Sequence, residues 1–202
     1  MPERNYNQNC ALARASDLLG ERWTLLIVRD LLISPRRFGD LETRLKGMGT
    51  NLLAKRLKDM QRAGLVSGGE ARSPYRLTKM GSALEPMVLH LVRWSLHWVR
   101  GASLPAGLHF LDWDLLALKS LFVPNPKMHK PLMARFEAGD WMAWMRIDQH
   151  CCTYGLGEPD IAPDILFPCT IPALRAPDPI ISGMNAVMQG KARQMLSCFP
   201  FA

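Results

Sequence analysis

TNLLAKRLKDMQRAGLV, residues 50–66, sets leucines and cations at helical spacing and closes on Gly64 with an apolar exit behind it. At about 100° per residue, Leu53, Leu57 and Met60 gather on one side of a helix. Asn51, Lys55, Lys58 and Arg62 gather on the other, within about 60° of one another. Thr50 is a suitable N-cap and Gly64 a left-handed stop, so the pattern predicts a helix over 51–63 with one apolar and one cationic face. A cationic stripe is commonly just a solvated face, so what surrounds this one decides its meaning.

Upstream, CALARASDLL (10–19) is a short apolar-rich helix ended by Gly20, and RWTLLIVRDLLI (22–33) is apolar nearly all round, as a central buried helix should be. Pro35 closes it. RRFGDLETRL (36–45) places Phe38, Leu41 and Leu45 at i, i+3 and i+7, which predicts an amphipathic helix opened by Arg36 and Arg37 and ended by the Lys46-Gly47 turn. Downstream, LVSGGEARSPYRLT predicts a hairpin with strands near 65–67 and 75–77 and a tip over Gly68 to Pro74, carrying Arg72 and Arg76.

From Thr78 the chain reads as a helix to about Arg100, bent near Pro86. Leu84, Met87, Val88, Leu91, Ser95 and Trp98 form one apolar stripe on it, and Leu89, Val92, Leu96 and Val99 a second. A terminal helix needs one stripe for its own core; the other asks for a partner, a second copy or the rest of the chain.

Charge divides the chain in the same place. Residues 1–101 hold 17 basic and 9 acidic residues, a net of +8, whereas 102–202 hold 8 and 9, a net of −1. A polyanion partner would therefore belong to the first half. GASLPAG (101–107) has the composition of a linker.

Helices, a glycine turn, a capped cationic helix and a basic hairpin, in that order, are the plan of a winged helix-turn-helix. The B-DNA major groove admits one α-helix, and side chains standing on its outward face read base edges there. Asn51 suits adenine; Lys55, Lys58 and Arg62 suit guanine or phosphate. Thr50 and the first amides of its helix, with Arg36 and Arg37, suit backbone phosphates, and Arg72 at the hairpin tip suits a minor groove or phosphate.

These segments resemble the HxlR-type winged helix-turn-helix transcriptional regulators over about residues 9–100: LLGERWTLLIVRDLL, PRRFGDLETRLKGMGTNLLAKRLKDMQRAGLV and YRLTKMGSALEPMVLHLVRW occur in the family's order and spacing. The resemblance implies a homodimeric, sequence-specific DNA-binding regulator whose first and last helices form the dimer contact. Its two recognition helices would lie ~34 Å apart on a roughly palindromic stretch of double-stranded DNA. Some members carry an oxidant-sensing cysteine near the N-terminus, and Cys10 stands at about that position; a small buried apolar role is the plainer reading of it.

The second half is less regular. WDLLALKSLF (113–122) predicts a helix, MARFEAGDWMAWMRID a hairpin turning at Gly139-Asp140 with Trp141, Ala143, Met145 and Ile147 on one face, and the end of the chain a helix near 183–198. Scattered positions are similar to the sterol-carrier-protein-type domains found behind some HxlR-like domains, which implies an apolar tunnel for a hydrophobic small molecule. Trp141, Met142, Trp144 and Met145 are the candidate walls, with plain core packing an equal alternative. The expected fold class is α+β: a winged helix-turn-helix over 1–101, mostly helical with a hairpin wing, and a smaller α/β domain over 108–202.

Several classes are disfavoured. His90, His97, His109, His129 and His150 are scattered, with no phosphate loop, nucleophile elbow or metal-spaced cluster, so neither an enzyme nor a metal or cofactor site is expected. Cys10, Cys151, Cys152, Cys169 and Cys198 are odd in number and spread out, which predicts buried thiols in place of a disulfide framework. The absence of an apolar run of eighteen residues or a secretion signal predicts a cytoplasmic protein with no membrane partner. The alternative function is a non-enzymatic hydrophobic-ligand-binding protein with only non-specific affinity for DNA or other polyanions.

Overall fold

The computed structural model describes residues 5–99, 109–168 and 186–199. It divides into two compact units, Met1–Val88 and Leu89–Ala202, and has the α+β character expected. The expected linker 101–107, together with Arg100 and Cys169, lies outside the described residues. No helix among the described residues is long and apolar enough to cross a membrane.

The first unit runs α1 (Ala11–Leu19), α2 (Thr24–Ile33), α3 (Phe38–Arg44), α4 (Thr50–Arg62), β1 (Val66–Ser67), β2 (Arg76–Leu77) and α5 (Lys79–Ser82). Its core is built as periodicity predicts: Ile27, Val28 and Leu31 of α2, Leu41 and Leu45 of and just after α3, and Leu53, Leu57 and Met60 of α4 are all buried. β1 and β2 pair antiparallel, Val66 with Leu77 and Ser67 with Arg76. A 3-10 turn, Glu70–Arg72, sits at the tip between them.

α2 is buried over most of its surface, as expected of a helix apolar nearly all round, but its one acid is buried too. Asp30 lies on it with no solvent exposure, and Arg44 of α3 reaches in so that its Nε donates to Asp30 Oδ1 at 2.6 Å; Arg29 Nη2 donates to Oδ2 at 2.8 Å. A buried carboxylate is tolerated because both of its oxygens accept charge-assisted bonds.

The predicted bent helix over 78–100 is two helices. Thr78 caps α5, its hydroxyl accepting from the Gly81 amide at 3.1 Å, and α5 stops after one turn. α6 (Glu85–Trp98) then starts afresh. Pro86 falls in its first turn, where a missing N–H breaks no helical bond, and so the proline begins a helix where an interior bend was expected. Gly81 is required where it stands, since a Cβ there would lie 2.1 Å from the carbonyl oxygen of Leu65.

The second unit holds α7 (Trp113–Leu121), β3 (Leu132–Ala138), β4 (Trp141–Ile147), β5 (Cys152–Leu156), β6 (Ile165–Phe167) and α8 (Ala186–Leu196). The sheet order is β5-β4-β3-β6, antiparallel except for β6 beside β3. Ala134 and Phe136, Ala143, Met145 and Ile147, and Ile165 and Phe167 turn to one face, where they pack with Leu115 and Leu118 of α7 and Ala192 and Met195 of α8. The predicted hairpin is present. β5 was not expected, because CCTYGL has too little alternation to mark a strand.

Two cysteines depart from the expectation of buried thiols. Cys152 and Cys198 are buried, but Cys10 and Cys151 are exposed. Cys10 precedes the first turn of α1, and Cys151 sits in the β4–β5 turn.

Candidate nucleic-acid interface

α4 begins one residue before the predicted start. Gly49 adopts the extended N-cap geometry, so Thr50 is the first helical residue and is not the cap. Its hydroxyl instead donates to the Glu42 carboxylate. At the other end, Gly64 takes φ +75°, the left-handed conformation expected of a helix stop.

The amphipathic division of α4 follows the sequence. Leu53, Leu57 and Met60 are essentially inaccessible, which on area grounds stabilises the unit by ~1.5–3 kcal/mol per side chain. Asn51, Lys55, Lys58 and Arg62 are all exposed on the opposite side. The face is less uniformly cationic than predicted, because Arg62 Nη1 donates to Asp59 Oδ1 at 3.0 Å. Arg56, on the flank, is tied to Glu21 at 2.8 Å. Surface pairs of this kind add little stability but do spend positive charge.

The wing is fastened to this helix. Gln61 Nε2 donates to the Gly68 carbonyl at 2.7 Å, where the chain leaves β1. Arg36 and Tyr75 exchange backbone bonds, Arg36 N to Tyr75 O at 3.1 Å and Tyr75 N to Arg36 O at 2.7 Å, adding a short bridge beside the wing. Arg72 is exposed at the tip with φ +65°, after Ala71 at +47°. Two successive non-glycine residues in the left-handed region hold that tip in a sparsely populated conformation.

Arg36 and Arg37 do not open α3 as expected. Arg36 is half-buried in the bridge to Tyr75, and Arg37 is the N-cap, its amide donating to Asp40 Oδ2 at 2.9 Å. Cys10 is the residue before α1, with its thiol exposed.

The candidate ligand walls are separated by the strand. Met145 is fully buried and Trp141 half-buried on the helix-covered face of β4, while Met142 and Trp144 alternate to the opposite face. The four therefore cannot line one cavity. On the helix-covered face, Phe136 and Phe167 stack at 5.3 Å within the buried cluster.

A concavity of about 330 Å³ lies at the β4–β5 turn, lined by Met128, His129, Pro131, Asp148, Gln149, His150 and Cys151. Asp148 organises it, accepting from the amides of His150 and Cys151 at 2.8 Å and from the Cys151 thiol at 3.1 Å. Those bonds, the thiol's first, hold the Asp148 carboxyl down at about 2; the same carboxylate lifts the Cys151 thiol above its ordinary range. A thiol held protonated in this way is a weak nucleophile.

Sequence reasoning missed three features of the first unit: the Asp30–Arg44 pair, the acidic partners Glu21, Glu42 and Asp59 on and around α4, and exposed Leu52 on its outer side. The first was detectable as a lone acid in an apolar helix. Leu52 was detectable as a leucine off the 53/57/60 row.

Residues 18–103 match the family model for the HxlR-like helix-turn-helix. The uncharacterised HTH-type transcriptional regulator YvaP of Bacillus subtilis is 32% identical over 47% of this chain and 94% of its own length. The HTH-type regulator Rv3095 of Mycobacterium tuberculosis is 38% identical over 42% of this chain, which spans 56% of that relative. Among solved structures, quinone-bound YodB of Bacillus subtilis is 30% identical, covering 42% of this chain and 93% of its own, with a TM-score of 0.39.

Proposed function

The chain belongs to the HxlR-like helix-turn-helix family, and from that premise we propose that it is a sequence-specific transcriptional regulator binding a roughly palindromic DNA operator as a homodimer. The observation that carries the reading is the outward row of α4, where Asn51, Lys55 and Lys58 stand exposed over a fully buried leucine row. Those residue types on one helix match the donor and acceptor pattern of the major groove. Arg37 and Arg72, both exposed, supply phosphate contacts that set register without reading sequence. Thr50 enters this scheme through its amide, since its hydroxyl is engaged by Glu42, and Arg36 through its position behind the wing.

Support for the homodimer comes from exposed apolar groups. Leu12 of α1 and Met87, Leu91, Trp94 and Trp98 of α6 are each more than a third accessible, Trp98 reaching 69%. Neither predicted stripe is wholly inward: Val88 of the first is buried and Leu84 half-buried while Met87, Leu91 and Trp98 are exposed, and in the second Leu89, Val92 and Leu96 are half-buried and Val99 exposed. Indoles at that exposure are suited to an interface.

Two regulatory inputs complete the reading. Cys10, exposed at the start of α1, is a site for oxidants or electrophiles, and the second domain, 108–202, is the module for a hydrophobic small-molecule effector. Either can alter DNA affinity solely by binding or modifying one dimer conformation in preference to another. The effector rests on the sterol-carrier resemblance.

Selection of duplexes from a random pool by the purified full chain tests the proposal. Enrichment of one inverted-repeat sequence is the expected result. Retention of every duplex alike, governed by salt alone, would favour the ligand-binding alternative with non-specific polyanion affinity.

A further inference from the structure

We infer that Leu52 is a specificity-determining residue of the same interface, one that reads the methyl group of a thymine; this rests on α4 being the recognition helix. Among the described residues, Leu52 is the one large apolar side chain of α4 that is exposed, at 41%. It stands in the first turn, beside Asn51 and one turn before Lys55 and Arg56.

An exposed leucine on a helix usually signifies nothing. What distinguishes this one is its company. Its neighbours one and two turns on are Lys55, Arg56 and Asp59, all charged, and it borders the row of Asn51, Lys55 and Lys58. A protein surface that covered Leu52 would also cover those charged groups, which an apolar partner would strip of solvent. A surface that offers polar acceptors to Asn51 and Lys55 and, at neighbouring positions, an isolated apolar group would satisfy the whole row.

The major groove is such a surface. Its base edges present nitrogen and oxygen acceptors, amino donors and a single apolar feature, the C5-methyl of thymine. With Asn51 and Lys55 bonded to base edges, the adjacent leucine is driven against the groove floor. A thymine there buries two apolar groups against each other, whereas a cytosine, guanine or adenine leaves a polar edge desolvated by a hydrocarbon. Leu52 therefore imposes a thymine at one position of each half-site.

Removal of the methyl alone tests this. Once an operator has been selected, each dT in it is replaced singly by deoxyuridine, and affinities are measured for the full-length wild type and for Leu52→Ala. The wild type should lose roughly four-fold affinity at one deoxyuridine position per half-site, the size expected for one buried methyl. Leu52→Ala should bind the thymine operator more weakly and show no further loss at that position, with melting unchanged because the side chain lies outside the core. Wild-type indifference to every dT replacement, or equal sensitivity in Leu52→Ala, overturns the inference without touching the assignment of α4. Failure to select any operator overturns that assignment and the inference together. The deoxyuridine series needs only the wild type, so a flat series overturns the inference even if the alanine variant folds poorly, and Leu52→Met, which keeps the apolar side chain, then serves as the folded comparison, expected to retain the sensitivity.

Discussion

Arg44 Nε donates to Asp30 Oδ1 at 2.6 Å with the carboxylate wholly inaccessible to solvent, locking α3 onto α2. Because α3 leads through one turn into α4, this buried pair fixes the angle at which the basic helix is presented.

Removing Arg44 takes one charge-assisted donor from the buried Asp30 carboxylate, Arg29 keeping the other oxygen. Arg44→Ala is expected to destabilise the first unit by ~3–5 kcal/mol, and the double replacement Asp30→Leu with Arg44→Met to recover most of that loss. Chemical denaturation followed by circular dichroism measures both. Equal stabilities for the single variant and the wild type would show that the pair is not what holds α3.

Asn51→Ala and Lys58→Ala remove exposed groups and so should leave melting unchanged. Each should weaken operator binding, Asn51→Ala by ~1–3 kcal/mol at one base position, and Lys58→Ala with a salt slope smaller by about one unit if its partner is a phosphate. Titrations at several salt concentrations separate the two roles. A variant that binds like wild type removes that residue from the interface.

Leu57→Ala tests the other side of α4. Leu57 is 1% exposed, and truncating it should destabilise by ~2–5 kcal/mol through lost contacts and an unfilled cavity. Unaltered melting would mean that the helix is rotated relative to this description.

The contrast between α4 and α2 shows which information a sequence carries openly. Burial of Leu53, Leu57 and Met60 follows from spacing alone, since a 3.6-residue period leaves one solution for the apolar row. Asp30 breaks no period, and its partner is fourteen residues away, so the pairing is a property of how two helices cross. Pro86 was visible but its meaning depended on where the preceding helix stopped, which Gly81 and its contact with Leu65 decide. In the site, Asn51, Lys55, Lys58 and Arg72 stand exposed as their spacing suggested, whereas the carboxylates that meet Thr50, Arg56 and Arg62 come from tertiary or i, i+3 geometry. On β4, a run rich in Trp and Met looked like one apolar wall. Strand alternation divides it.

The β4–β5 turn should respond to acid. Asp148 titrates at about 2 in the folded chain against an ordinary 3.8, a depressed value. Its contribution to stability is therefore present above about pH 4 and lost as pH falls towards 2. The difference in melting temperature between wild type and Asp148→Asn should be constant at higher pH and shrink across that window. A difference independent of pH would mean that the carboxylate's bonds to the Cys151 thiol and the two amides do not stabilise the turn.

The apolar face of α6 should govern assembly. Trp94→Glu places a charge among Leu91, Trp94 and Trp98, which are 46%, 57% and 69% exposed. If a second copy covers them, sedimentation should report a dimer for the wild type and a monomer for the variant, with weaker operator binding in step. An unchanged mass would place the dimer contact elsewhere.

The central claim is that the outward row of α4 reads duplex DNA. Side-by-side anisotropy titrations of the full chain with its selected duplex and with a scrambled duplex of the same composition, at one fixed salt concentration, test it most directly. A preference of ~10³-fold or more for the selected duplex, reduced in Lys55→Ala, is the predicted result. Equal affinity for the two duplexes would contradict it.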